Sequence, residues 1–239
     1  MNRSPKKFGR ALTCVVCMVM ILMLACERED VGSEGGSKMK PGPIVYVALG
    51  DSTGAGIGAT NGGYVARLFR RLADARAGSE LLNLCASGAT TEDLLRRQLQ
   101  PGVDKSPQLI TVGIGINDIG HGFNIEQFAK NYEQILTTLK EKTQAEIVVT
   151  NIPDVSSAPR IPSSLRSEYQ RQIERFNERL EQIAQRHEVT IFDIFSITRR
   201  ELPSHPEYFS SDGFHPSDAG YELWAEEMWP TLSRLTGNP

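Results

Sequence analysis

Two alternating periodicities constrain this chain more than any other feature. Five short apolar runs, at residues 44–49, 81–84, 109–112, 147–150 and 189–192, lack polar–apolar alternation, as expected of strands buried on both faces. Between them lie segments with apolar residues at helical spacing: Tyr64, Leu68 and Leu72, then Phe128, Tyr132, Ile135 and Leu139, then Tyr169, Ile173, Phe176, Leu180 and Ile183. Thr90-Thr91-Glu92-Asp93 suits the capping box of a shorter helix, and a last helix is expected over about residues 217–235. Strands alternating with helices imply a parallel sheet with right-handed crossovers and helices on both faces. Ligands of such sheets bind at the carboxyl ends of the strands, so the loops after each strand are the place to look for function.

The N-terminus follows a different logic. Arg3, Lys6, Lys7 and Arg10 give a basic start, and residues 11–25 are apolar and uncharged up to Cys26. That run is shorter than the roughly 20 residues a membrane-spanning helix requires, so it has the form of a secretory signal. Met23-Leu24-Ala25-Cys26 resembles a bacterial lipobox, with Met23 where Leu is usual; that resemblance makes Cys26 the lipidated first residue of an exported protein anchored in the bacterial cell envelope. The alternative is an ordinary signal peptide and a soluble secreted or periplasmic product. Residues 26–43, acidic and rich in Gly, Ser and Pro, form a flexible tether before one domain at residues 44–239.

Without the four cationic residues of the leader, 22 Lys and Arg face 29 Asp and Glu, a net charge of −7. Such a body has no electrostatic reason to bind nucleic acid or anionic lipid. Cys14 and Cys17 leave with the signal and Cys26 is acylated, so Cys85 has no partner for an intrachain disulfide.

The loops after the strands carry the chemistry. Gly50-Asp51-Ser52-Thr53-Gly54 follows the first run, Ser87-Gly88 the second, Gly115-Ile116-Asn117-Asp118 the third, and Asp212-Gly213-Phe214-His215-Pro216 stands near the C-terminus. Each fragment alone is common; in this order, at one end of one sheet, they are specific. A serine hydroxyl becomes nucleophilic when a base in hydrogen-bond reach takes its proton, which suits Ser52 with His215. Asp212, three residues before the histidine, can orient the imidazole. The oxygen of a tetrahedral intermediate needs donors, and the Ser52 and Gly88 backbone N–H groups and the Asn117 amide are candidates.

These four fragments resemble the blocks of the SGNH (GDSL-type) hydrolases over most of the chain, from about Tyr46 to Trp224. The resemblance implies a three-layer α/β/α flavodoxin-like fold with a five-stranded parallel sheet in the order 2-1-3-4-5. It also implies Ser52 as nucleophile, Asp212 and His215 as its acid–base partners, and Ser52, Gly88 and Asn117 as the oxyanion hole. Thr53 stands where the family's name has Leu, and Cys85 where many members have Gly; Cys85 either narrows the site or fills the core.

Residues 50–54 also satisfy G-x-S-x-G, but the elbow of an α/β-hydrolase follows several strands and here only one precedes it. Gly54, Gly56 and Gly58 lack the spacing of a dinucleotide loop and have no P-loop lysine. Asp51, Asp118, Asp212 and His215 are better explained as loop-organising groups than as metal ligands, so neither metal nor cofactor is expected. His121 either lines the pocket or lies on a surface loop; His187 and His205 are structural or exposed. The expected function is a monomeric serine esterase or acylhydrolase acting on a lipid, acylated-glycan or small ester. The alternative is a cell-surface binding lipoprotein on the same fold. Specificity is expected to reside in residues 60–62, 121–124 and 155–164.

Overall fold

A computed structural model describes residues 39–237. The signal segment, Cys26 and most of the tether therefore lie outside the described residues. Five strands form one parallel sheet: β1 (Val45–Gly50), β2 (Glu80–Asn83), β3 (Leu109–Gly113), β4 (Glu146–Thr150) and β5 (Thr190–Phe192), in the order β2-β1-β3-β4-β5. The expected architecture and strand order hold. Each strand lies within a residue or two of its apolar run.

The sheet is buried on both sides because neighbouring residues of one strand serve different cores. Val47 and Leu49 of β1, with Ile110, Val112, Ile147 and Val149, pack against Phe128, Tyr132, Ile135 and Leu139 of α6 (Ile125–Lys142) and Ile173, Leu180 and Ile183 of α7 (Arg166–Arg186). Tyr46, Ala48 and Val148 face the other way, onto Tyr64, Leu68 and Leu72 of α2 (Tyr64–Ala75) and Tyr221, Trp224, Met228 and Leu232 of α9 (Asp218–Thr236). Uninterrupted apolar strands are thus the sequence signature of a sheet with helices on both faces.

Thr90 caps α3 (Thr91–Asp93) with the expected box: its hydroxyl accepts from Asp93 N–H, and the Asp93 carboxylate accepts from Thr90 N–H. The helix continues through a π-type turn, Leu94–Gln98, into α4 (Leu99–Asp104). Buried Gln98 meets the end of β1, donating to Gly50 O and accepting from Gly50 N–H, both at 2.8 Å. Its amide completes the pairing of the last β1 residue, beyond the point where β2 ends.

Further short helices start directly at strand ends: α1 (Ser52–Ala55), α5 (Ile116–Gly120) and α8 (Ile194–Glu201). The tether's last residues, 39–43, are held at the domain: the Arg76 guanidinium donates to Lys40 O at 2.8 Å and Gly42 O at 3.0 Å. The register puts Gly50, Gly113, Thr150 and Phe192 on one continuous rung, so the loops after β1, β3, β4 and β5 leave the sheet at one level. That rung positions the site.

Candidate active site

Ser52 is the first residue of α1. Asp51 caps that helix, its carboxylate accepting from Thr53 N–H at 2.9 Å and the Thr53 hydroxyl at 2.8 Å. Thr53, where the family's name has leucine, thus adds a second bond to the cap. Burial pushes the Asp51 carboxyl up to about 6, with the Thr53 bonds pulling the other way.

Asp212 and His215 lie on a loop closed by the Phe209–Pro216 bridge and by Ser210 N–H donating to His215 O at 2.8 Å. Gly213 turns this loop with φ of +70°, a conformation open to glycine. Asp212 Oδ1 accepts from the Phe214 and His215 backbone N–H groups at 2.8 and 2.9 Å, while Oδ2 meets His215 Nδ1 at 2.6 Å. Burial opposes its ionisation, but these bonds and that of the Ser210 hydroxyl outweigh burial and hold the carboxyl well below the usual range. An ionised carboxylate only accepts, so His215 Nδ1 carries the hydrogen and donates it. In the neutral imidazole, Nε2 is then the acceptor for the Ser52 hydroxyl, 3.0 Å away.

The three residues picked from the sequence therefore form one continuous hydrogen-bonded chain. The oxyanion candidates share a groove with it, lined by Ser52, Gly88, Asn117 and His215. Among the described residues neither the Ser52 nor the Gly88 backbone N–H has a protein acceptor. Gly88 has φ of +76°, and a Cβ there would stand in open space within the groove. Asn117 Nδ2 donates one hydrogen to Ala89 O at 2.9 Å, which fixes the amide and leaves a second hydrogen. Buried Asp118 accepts from Thr91 N–H at 3.0 Å and from the Thr91 hydroxyl, tying the Asn117 loop to the Gly88 loop. Burial raises its carboxyl to about 6 against those bonds.

A second clasp joins the serine side to the histidine side. Asp218, at the start of α9, accepts from Thr60 N–H and its hydroxyl and from Asn61 N–H, and it pairs with buried Arg67 at 2.6 Å. Residues 60–62 thus brace the site. Neither they nor residues 121–124 line the two spaces beside Ser52, whereas Val155, Arg160, Ile161 and Pro162 do. Specificity is expected from only one of the three segments selected from the sequence. Among the walls that no motif in the sequence marks are Ile194, Thr198, Leu202, Tyr208, Leu223 and Trp224.

Cys85 lies outside both spaces; its thiol fills the room beside Gly50 and Gly54, and burial pushes it well above the ordinary thiol value. His121 is exposed, His187 meets Glu133 at 2.7 Å, and His205 meets Glu207 at 2.8 Å.

The profile of the GDSL-like Lipase/Acylhydrolase family matches residues 48–223. The esterase TesA of Pseudomonas aeruginosa is 26% identical over 190 residues, 79% of this chain and 88% of its own. The spore germination lipase LipC of Bacillus licheniformis is 25% identical over 209 residues, 77% of this chain and 94% of its own. The lipase/acylhydrolase structure from Enterococcus faecalis shares the fold with a TM-score of 0.65 at 22% identity, over 79% of this chain and 95% of that one.

An Asn117 amide that donates to a developing oxyanion strengthens its bond as charge accumulates, so its loss falls on the transition state. Asn117→Ala is expected to lower kcat by roughly 10²–10³-fold, about 3–4 kcal/mol, with KM little changed where chemistry limits turnover. Turnover per fluorophosphonate-reactive serine, measured beside thermal unfolding, checks this. A lowered Tm with normal turnover would make Asn117 only a tether to Ala89.

Proposed function

Because the chain belongs to the GDSL-like lipase/acylhydrolase family and is a serine carboxylic ester hydrolase, we propose that it cleaves its ester through an acyl-enzyme on Ser52. The observation that carries this reading is the Asp212–His215–Ser52 chain of hydrogen bonds, 2.6 Å and 3.0 Å long.

His215 Nε2 takes the Ser52 proton as Oγ adds to the ester carbonyl carbon. Asp212 holds the ring in the tautomer that makes Nε2 basic, and its charge stabilises the imidazolium that forms. The carbonyl oxygen, now anionic, receives hydrogen bonds from the Ser52 and Gly88 N–H groups and from Asn117 Nδ2. When the intermediate collapses, the ester C–O bond breaks and His215 returns its proton to the departing alkoxide. Water, deprotonated by the same Nε2, then adds to the acyl-enzyme. The second collapse releases the carboxylic acid and restores the Ser52 hydroxyl. No step calls on a metal or cofactor.

The N-terminal pattern supports a bacterial lipoprotein that is exported, acylated on Cys26 and held at the cell envelope by the segment preceding residue 44. Substrates at that location are lipid esters, acylated glycans or small diffusible esters.

Ser52→Ala and His215→Ala are expected to reduce turnover by on the order of 10⁴–10⁶-fold, and Asp212→Asn by roughly 10²–10⁴-fold through loss of imidazole orientation. Steady-state hydrolysis of a 4-nitrophenyl ester measures all three; near-normal turnover of Asp212→Asn would remove Asp212 from the mechanism. In a bacterial host the full chain should partition with membranes, and Cys26→Ser should not. Equal recovery of both as soluble protein would refute the lipid anchor.

A further inference from the structure

Ser52, Phe214 and His215 line two different spaces and form the partition between them. On one side is the open groove that contains Gly88 and Asn117, with Ser87, Arg160 and Tyr169 along it. On the other is a narrow, more enclosed crevice with apolar walls, formed by Ile194, Leu202, Tyr208, Phe209, Leu223 and Trp224 between the β4 and β5 loops and α9. An ester attacked by Ser52 at this partition would extend one arm toward each space.

The order of bond breaking assigns the arms. The alcohol departs first and must reach solvent while the acyl group is still attached to Ser52. Water must then approach His215 along the path the alcohol has left. An enclosed crevice would trap a leaving alcohol, and an open groove releases it. The acyl arm stays through both steps, and an apolar one matches the enclosed apolar side.

We propose that this crevice is the acyl subsite and that its size selects short acyl groups, a reading that rests on the acyl-enzyme mechanism above. The crevice has a volume of about 40 Å³, against about 420 Å³ for the open groove. A space that small suits a short chain such as the propyl part of a butanoyl group. A longer chain must displace a wall side chain or fold back across the partition. The open groove sets no comparable limit on the alcohol.

The test compares 4-nitrophenyl esters from acetate to octanoate, and butanoate esters of alcohols of increasing size, on wild-type protein, Leu202→Ala and Leu202→Trp. For wild-type, kcat/KM should rise about three- to fourfold per methylene up to butanoate and fall for longer chains. Leu202→Trp should lower butanoate relative to acetate by at least tenfold. Leu202→Ala, which removes bulk and does not depend on fitting a larger side chain, should move the optimum to longer acyl groups. Neither variant should change the order of preference among alcohols. Variants that alter alcohol preference while acyl preference stays fixed, or that shift neither, would overturn the assignment. Fluorophosphonate labelling of each protein separates the two levels: no labelling of Ser52 in wild-type would defeat the serine mechanism itself. A labelled, active enzyme without acyl-length selection would defeat only the acyl subsite.

Discussion

The 3.0 Å contact between Ser52 and His215 joins two residues 163 positions apart, and much of the fold serves to hold it. Ser52 is fixed by the end of β1, which is bonded to β3 on one side and to the Gln98 amide on the other. His215 stands three residues before α9, so its position follows that helix, which packs on α2 through Tyr64 stacked on Trp224 at 4.5 Å. Asp218 then ties the start of α9 to residues 60 and 61 and to Arg67 of α2. These bonds cross between the two sequence-distant halves of the site. A hydrogen bond of this kind is useful to catalysis only when the geometry is held before substrate arrives.

The same arrangement keeps three carboxylates in different environments within one small region. Asp212 is surrounded by donors and remains ionised, as an imidazole-orienting group must be. Asp51 and Asp118, more deeply buried with fewer donors, have their carboxyls raised to about 6. Their bonds to Thr53 and Thr91 fix the loops on either side of the groove. The assignment of roles thus rests on how deeply each carboxylate is buried and how many donors it meets, since all three are aspartates.

Much of this was legible in the sequence because it depends on local rules. Five apolar runs without alternation predict buried parallel strands, and Thr90 with Asp93 predicts a cap. Asp212 to His215 is a spacing short enough for one loop to satisfy. What was not legible depends on tertiary distance. Helices α1, α5 and α8 are too short, or begin too close to a strand end, to show a period of their own. Leu202, Tyr208 and Leu223 have no motif, and they become walls of a crevice only because the β5–α8 segment passes beside α9. Residues 60–62 attract notice as a polar loop near the serine, yet the Thr60 and Asn61 backbone donors are taken by Asp218. The order of strands followed from family resemblance, since β/α alternation alone leaves it open.

In the proposed mechanism the ester is split in two steps with the acyl group held on Ser52 between them. If so, butanoate esters that differ only in their alcohol all pass through one intermediate, and that intermediate has no memory of what has left. Hydrolysis in the presence of added methanol, followed by the ratio of methyl butanoate to butanoic acid, measures this directly. One ratio is expected for every leaving alcohol, whatever the overall rate. A ratio that changes with the alcohol would mean that water attacks the ester while the alcohol is still attached, and would contradict an acyl-enzyme on Ser52.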